Sequence, residues 1–129
     1  MALLIGDGDT VMVVDDSDDI RELICMRLRM MGYWVVEAAN GKEAVELAPR
    51  THPGLILMDL SMPVMDGYEA TRRIKALPGC GAIPVVAVSA FCDPRSKHEA
   101  LEAGCVECVS KPVDFGKVVS LVSRHLQAH

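Results

Sequence analysis

Five short apolar runs, separated by stretches long enough for one helix each, constrain the fold more than any other feature of this chain. Val11-Met-Val-Val14, Trp34–Ala38, Leu55-Ile-Leu-Met58, Val85-Val-Ala-Val88 and about Val106–Val109 are mostly aliphatic, with little polar alternation. Strands covered on both faces read this way, and such strands belong to parallel sheets. The intervening stretches carry helix signals. Ser17 is a suitable N-cap with Asp18 and Asp19 at the positive helix end, Ile20, Leu23, Ile24, Leu28 and Met31 recur at helical spacing, and Gly32 ends the run. Asn40-Gly-Lys-Glu43 matches a capping box for a helix to about Ala48, and Asp66 with Glu69 opens one to about Ala76. Asp93-Pro94 supplies an N-cap and first-turn proline for a helix to Ala103, and a last helix runs from about Phe115 to Leu126. Strands alternating with helices in this way pair in parallel through right-handed crossovers. The expected fold is therefore an α/β open five-stranded parallel sheet with helices on both faces.

The length of 129 residues suits one core, so residues 10–129 are expected to form one domain behind a short N-terminal extension, 1–9. Half the residues are hydrophobic, which favours a packed fold over disorder. A net charge of −5 disfavours binding to nucleic acid, because the surface repels a polyanion before any base is read. Arg27/Arg29 and Arg72/Arg73 then read as solvated helix faces. No apolar run approaches the roughly 20 residues that cross a bilayer, and Met1–Ile5 lacks a basic leader, so the expectation is a cytoplasmic protein without membrane insertion. Five cysteines, an odd number, are expected to be reduced thiols. Cys105 and Cys108 form a C-x-x-C, but without a second pair of ligands, and in an extended segment they would point to opposite faces. Met26, Met30 and Met31 are expected to fill the core.

In open α/β sheets the functional crevice lies outside the carboxyl ends of the strands. Here the first run ends in Asp15 and Asp16, the third in Asp59, the fourth in Ser89, and the fifth leads to Lys111. Asp66 and Asp93 are accounted for as helix caps; four polar strand ends meeting at one edge are not. Two carboxylates about 4 Å apart repel by roughly 4 kcal/mol at an effective dielectric near 20, so three of them need a cation or protons. Oxygen donors without His or Cys select Mg²⁺, or Mn²⁺, over zinc. With Lys111 as a second positive charge, the set describes a site for phosphoryl transfer.

Val-Val-Asp15-Asp16, Met58-Asp59-Leu-Ser-Met-Pro63-Val-Met-Asp66-Gly67, Val88-Ser89-Ala90 and Ser110-Lys111-Pro112 together resemble the receiver domain of two-component response regulators, from about Thr10 to Leu126. The resemblance implies the flavodoxin-like (βα)5 strand order 2-1-3-4-5. It implies that Asp59 is phosphorylated by a phosphohistidine of a histidine kinase or phosphotransfer protein. It further implies that Asp15, Asp16, Asp59 and the backbone carbonyl of Ser61 hold Mg²⁺, and that Ser89 and Lys111 contact the phosphoryl oxygens. The Lys111-Pro112 bond resembles the family's cis peptide. Output would be protein contact with a downstream target, from a monomer or a weak phosphorylation-dependent dimer, with no enzymatic activity beyond its own phosphorylation and dephosphorylation. Where the family usually has Tyr or Phe, three residues before the lysine, this chain has Cys108, so the aromatic rotor is absent; Phe91 stands where the family tunes access of hydrolytic water.

Three other readings meet obstacles or weaker support. A phosphohydrolase of the haloacid dehalogenase kind needs an acid two residues after the nucleophile, where this chain has Ser61. A flavodoxin-like cofactor binder would offer hydroxyls and amides to a phosphate, which Asp15-Asp16 repel. A pseudo-receiver acting by contact alone draws support only from Cys108, against a complete acceptor set.

Overall fold

The computed structural model describes residues 10–126; the expected extension at residues 1–9 lies outside them. Strands and helices alternate as β1 (Thr10–Val14), α1 (Asp18–Met30), β2 (Trp34–Ala38), α2 (Gly41–Thr51), β3 (Leu55–Asp59), α3 (Gly67–Ala76), β4 (Val85–Ser89), α4 (Pro94–Ala103), β5 (Glu107–Ser110) and α5 (Phe115–His125). All strand pairs are parallel, in the order β2-β1-β3-β4-β5. The order implied by the resemblance is the one formed.

Strand alternation divides the core into two layers. Met12, Val14, Ile56, Met58, Val85 and Ala87 face one side, where Ala44 and Ala48 of α2, Ala70 and Ile74 of α3, and Ala100 of α4 close over them. Val11, Val13, Leu55, Leu57, Val86 and Val109 face the other, under Ile24, Cys25 and Leu28 of α1 and Val118, Leu121 and Val122 of α5. Small residues on α2–α4 bring those helices close to the sheet.

The caps form as their residues predict. Asn40, Asp66 and Asp93 each accept the N–H three residues on, at 2.8, 2.9 and 2.8 Å, and Ser17 Oγ accepts Ile20 N–H at 3.4 Å. Glu43 closes its box on the N–H of Ala39 rather than on that of the cap itself. Gly32, at φ 94°, turns the chain out of α1.

Three expectations change. The inward face of α1 is Arg21, Ile24, Cys25 and Leu28, a run at i, i+3, i+4 and i+7, whereas Ile20, Leu23 and Met31 stand on its exposed flank. The expected stripe joined two adjacent rows of the helix. Met26, Met30 and Met31 do not fill the core either; Met30 is 76% exposed, because the phase set by Ile24 and Leu28 turns these positions outward. Finally, α2 continues past Ala48 to Thr51 despite Pro49, and β5 starts at Glu107, one residue later than its apolar pattern suggests.

Candidate functional site

Strands β1, β3, β4 and β5 end at one edge of the sheet because their pairing is in step: Val14 lies opposite Met58, Asp59 opposite Val88, and Ser89 opposite Ser110. Parallel strands in this register deliver the residues at their ends to a common crevice. Asp15, Asp16 and Asp59 each bring a carboxylate oxygen to within 4.8 Å of the others. Lys111 Nζ lies 3.5 Å from Asp15 Oδ2 and 3.4 Å from Asp59 Oδ1. Ser89 is buried at the same edge, with its Oγ accepting Phe91 N–H at 3.0 Å.

Burial makes this arrangement costly. Asp15 is 4% and Asp59 2% exposed, while Asp16 faces solvent. Burial pushes the Asp59 carboxyl above its ordinary range, and the neighbouring Asp15 charge adds to that; the Ser61 N–H and the Lys111 ammonium act against it. Backbone donors steady the carboxylates individually: Ser17 N–H to Asp15 Oδ1 at 2.9 Å, and Ser61 N–H to Asp59 Oδ1 at 3.0 Å. Three carboxylates against one ammonium leave two negative charges when all are ionised, a deficit that one divalent cation cancels. The donors are all oxygen, and this is the sole group of three or more His, Cys, Asp or Glu residues with metal-holding geometry among the described residues. A hard cation such as Mg²⁺ fits that donor set.

Supports that the sequence did not announce surround the cluster. Arg21, buried on α1, donates from Nη1 to the Asp15 carbonyl at 2.8 Å, from Nη2 to Asp18 at 2.7 Å, and from Nε to Glu37 at 3.2 Å. Its position in phase with Ile24 and Leu28 was the available signal. Gly67 opens α3 directly against β3: a Cβ there would lie 2.3 Å from the Asp59 carbonyl oxygen and 2.8 Å from Leu60 Cα. Between them, Val64 sits at φ 69°, a left-handed conformation that β-branched residues rarely adopt. Lys111-Pro112 is cis. Beside Lys111 opens an apolar groove lined by Ile20, Leu23, Ala90, Pro112, Val113 and Phe115.

The residues singled out in the sequence thus meet at one edge, with the Ser61 peptide joined to Asp59 through its N–H. The two thiols of the C-x-x-C both lie against the α2–α4 layer rather than on opposite faces, since Cys105 precedes the strand, but they take different partners. Cys105 contacts Thr71 Oγ1 at 3.8 Å, and Cys108 meets Cys92 at 3.0 Å between sulfurs.

The sequence profile of the response regulator receiver domain matches residues 11–123. The polar-differentiation response regulator DivK of Brucella ovis is 32% identical over 117 residues, which are 91% of this chain and 95% of that protein. Some other relatives are longer regulators, of which the chain spans 42% or 25%. Among solved structures, the Vibrio cholerae chemotaxis protein CheY4 superposes with a TM-score of 0.86 at 29% identity, covering 91% of this chain and 98% of that one. The receiver domain of the sensor histidine kinase PA1611 from Pseudomonas aeruginosa, with a magnesium ion coordinated in its active-site cleft, gives 0.83 at 32% identity, covering 92% and 97%.

Proposed function

The chain belongs to the response regulator receiver domain family of two-component signalling, and from that premise we propose that it is a phosphorylation-operated switch whose acceptor is Asp59. The observation that carries this reading is the gathering of three carboxylates within 4.8 Å beside an ammonium 3.4 Å from one of them. Helix caps do not require such a cluster, whereas a metal-assisted phosphoryl-transfer site makes use of one.

Asp15, Asp16, Asp59 and the Ser61 carbonyl would hold Mg²⁺, or Mn²⁺, which when bound supplies positive charge to the phosphoryl oxygens. Asp59 is the nucleophile: a carboxylate oxygen bonds to phosphorus as the bond to the imidazole nitrogen of a donor phosphohistidine breaks. Lys111 neutralises charge on the transferred group, and its proximity favours the ionised, nucleophilic form of Asp59. Ser89 would exchange its bond from Phe91 N–H for one between its hydroxyl and a phosphoryl oxygen, moving the loop after β4. A downstream protein would read that change at the α4, β5 and α5 surface. A shift from 1:99 to 99:1 needs about 5.5 kcal/mol, so several contacts must change together.

The donor, a histidine kinase or phosphotransfer protein, finds apolar contact beside the site at Ile20 and Leu23, both exposed next to the groove at Lys111. No helix among the described residues is long and apolar enough to cross a membrane, in keeping with a cytoplasmic switch.

Incubation with a small-molecule acyl phosphate and Mg²⁺, followed by intact-mass measurement, tests the reading. Wild type should gain one phosphoryl group that Asp59→Asn does not gain. No gain by wild type, or an equal gain by the variant, would remove Asp59 as acceptor.

A further inference from the structure

Cys92 lies in the loop between β4 and α4, and Cys108 lies on β5 opposite Ala87 of β4. Their sulfurs are 3.0 Å apart and both residues are partly exposed. Cys92 also donates its S–H to the carbonyl of Ser89 at 3.8 Å, so the pair borders the strand end that supplies the hydroxyl of the site. The remaining cysteines are placed differently: Cys25, Cys80 and Cys105 are buried in the two core layers. A reagent in solution therefore meets Cys92 and Cys108 first, and meets them together.

We propose that Cys92 and Cys108 are an oxidisable pair, which a disulfide of the glutathione class converts into an intramolecular disulfide that ties the loop after Ser89 to β5 and slows phosphoryl uptake. The effect on uptake rests on the reading of Asp59 as acceptor; the oxidation does not. In the first step the Cys92 thiolate bonds to one sulfur of the reagent, breaking its S–S bond and releasing one small thiolate. In the second, Cys108 gives its proton to solvent and bonds to the Cys92 sulfur, releasing the second small thiolate. Two protein thiols are oxidised, one reagent disulfide is reduced to two thiols, and the sulfurs close by about 1 Å to the 2.05 Å of a disulfide.

The order of attack follows from the surroundings. Burial first, then the hydrogen bond to and charge of Cys92, push the Cys108 thiol up to about 12, so it does not lead. Once Cys92 is in mixed disulfide, its hydrogen bond and its charge no longer oppose ionisation of Cys108, which becomes the resolving thiol. The closed bond spans β5 and the segment holding Phe91, whose N–H donates to Ser89 Oγ. With that segment tethered, the hydroxyl is kept on Phe91 instead of meeting a phosphoryl group.

The test exposes the full chain to mixtures of oxidised and reduced glutathione, and follows intact mass, peptide maps and phosphoryl uptake from a small acyl phosphate with Mg²⁺. Wild type should lose the mass of two hydrogens, with the new link joining the Cys92 and Cys108 peptides, and a reducing agent should reverse it. Cys108→Ser should stop at a mixed disulfide on Cys92. Uptake by the oxidised protein should fall about tenfold, the loss expected for one charge-assisted hydrogen bond, while Cys92→Ser and Cys108→Ser keep the reduced rate under the same conditions. Failure to form the link, preferential oxidation of Cys25, Cys80 or Cys105, or a linked protein with unchanged uptake would each overturn the proposal. Absence of uptake by the reduced protein would instead count against Asp59 as acceptor, while the mass change still decides the cysteine pair.

Discussion

The acidic edge of the sheet and the cysteine pair lie on either side of Ser89, yet they are built on opposite terms. At the edge, buried charges are forced together and held there by backbone N–H groups, Lys111 and Arg21. At the cysteine pair, two thiols meet where the family usually has one large ring. The edge stores electrostatic cost that a bound cation would relieve. The cysteine side has no such store, so whatever reaches it must come through movement of the loop after Ser89. The two regions are thus separable except through that loop.

That separation can be broken most sharply at Asp59: Asp59→Asn should abolish phosphoryl uptake from a small donor while leaving oxidation of the cysteine pair unchanged by mass. Next, Lys111→Met should slow uptake by about 10²-fold, the scale of losing one positioned cationic contact to a transferring group, as followed by single-turnover mass kinetics. Stability reports on the edge as well. Gly67→Ala should cost about 2–3 kcal/mol in urea melts, because a methyl carbon 2.3 Å from the Asp59 carbonyl forces α3 away from β3. In the other direction, Val64→Asn should add about 1 kcal/mol by relieving a left-handed β-branched residue on an exposed loop. The smallest effect belongs to the cysteine side. Cys108→Tyr should leave uptake from a small donor within about twofold while changing affinity for a downstream partner, measured by titration of the phosphorylated form; equal changes in both would join the two regions again.

Much of this was legible in the sequence because it depends on local chemistry. An apolar run ending in Asp reads as a buried strand whose end opens on a crevice, and Asn40, Asp66 and Asp93 cap the helices that their side chains announce. The strand-end residues carried the site, since parallel register brings them together without further instruction. Helix phase was harder to read. On α1 every third or fourth position is apolar in two adjacent rows, and only packing against β1 and α5 selects Ile24 and Leu28 over Ile20 and Leu23. The methionines were misplaced by the same ambiguity. The phase of Arg21 with Ile24 and Leu28 pointed to burial, but what it holds is legible only when its acceptors are known, and one of these, Glu37, lies 16 residues away. The Cys92–Cys108 contact is likewise a product of the fold, whereas the C-x-x-C spacing drew attention to a pair that takes separate partners.

Arg21 has a further consequence. By donating to the Asp15 carbonyl it grips the loop from behind, through the backbone rather than through a carboxylate of the cluster. The peptide beneath the side chains of Asp15 and Asp16 therefore stays where folding put it, whatever those carboxylates would hold. A guanidinium does not lose its proton at any pH the fold survives, so this grip does not loosen with acidity as a carboxylate or imidazole contact would. The entropy of ordering the loop is lost once, during folding.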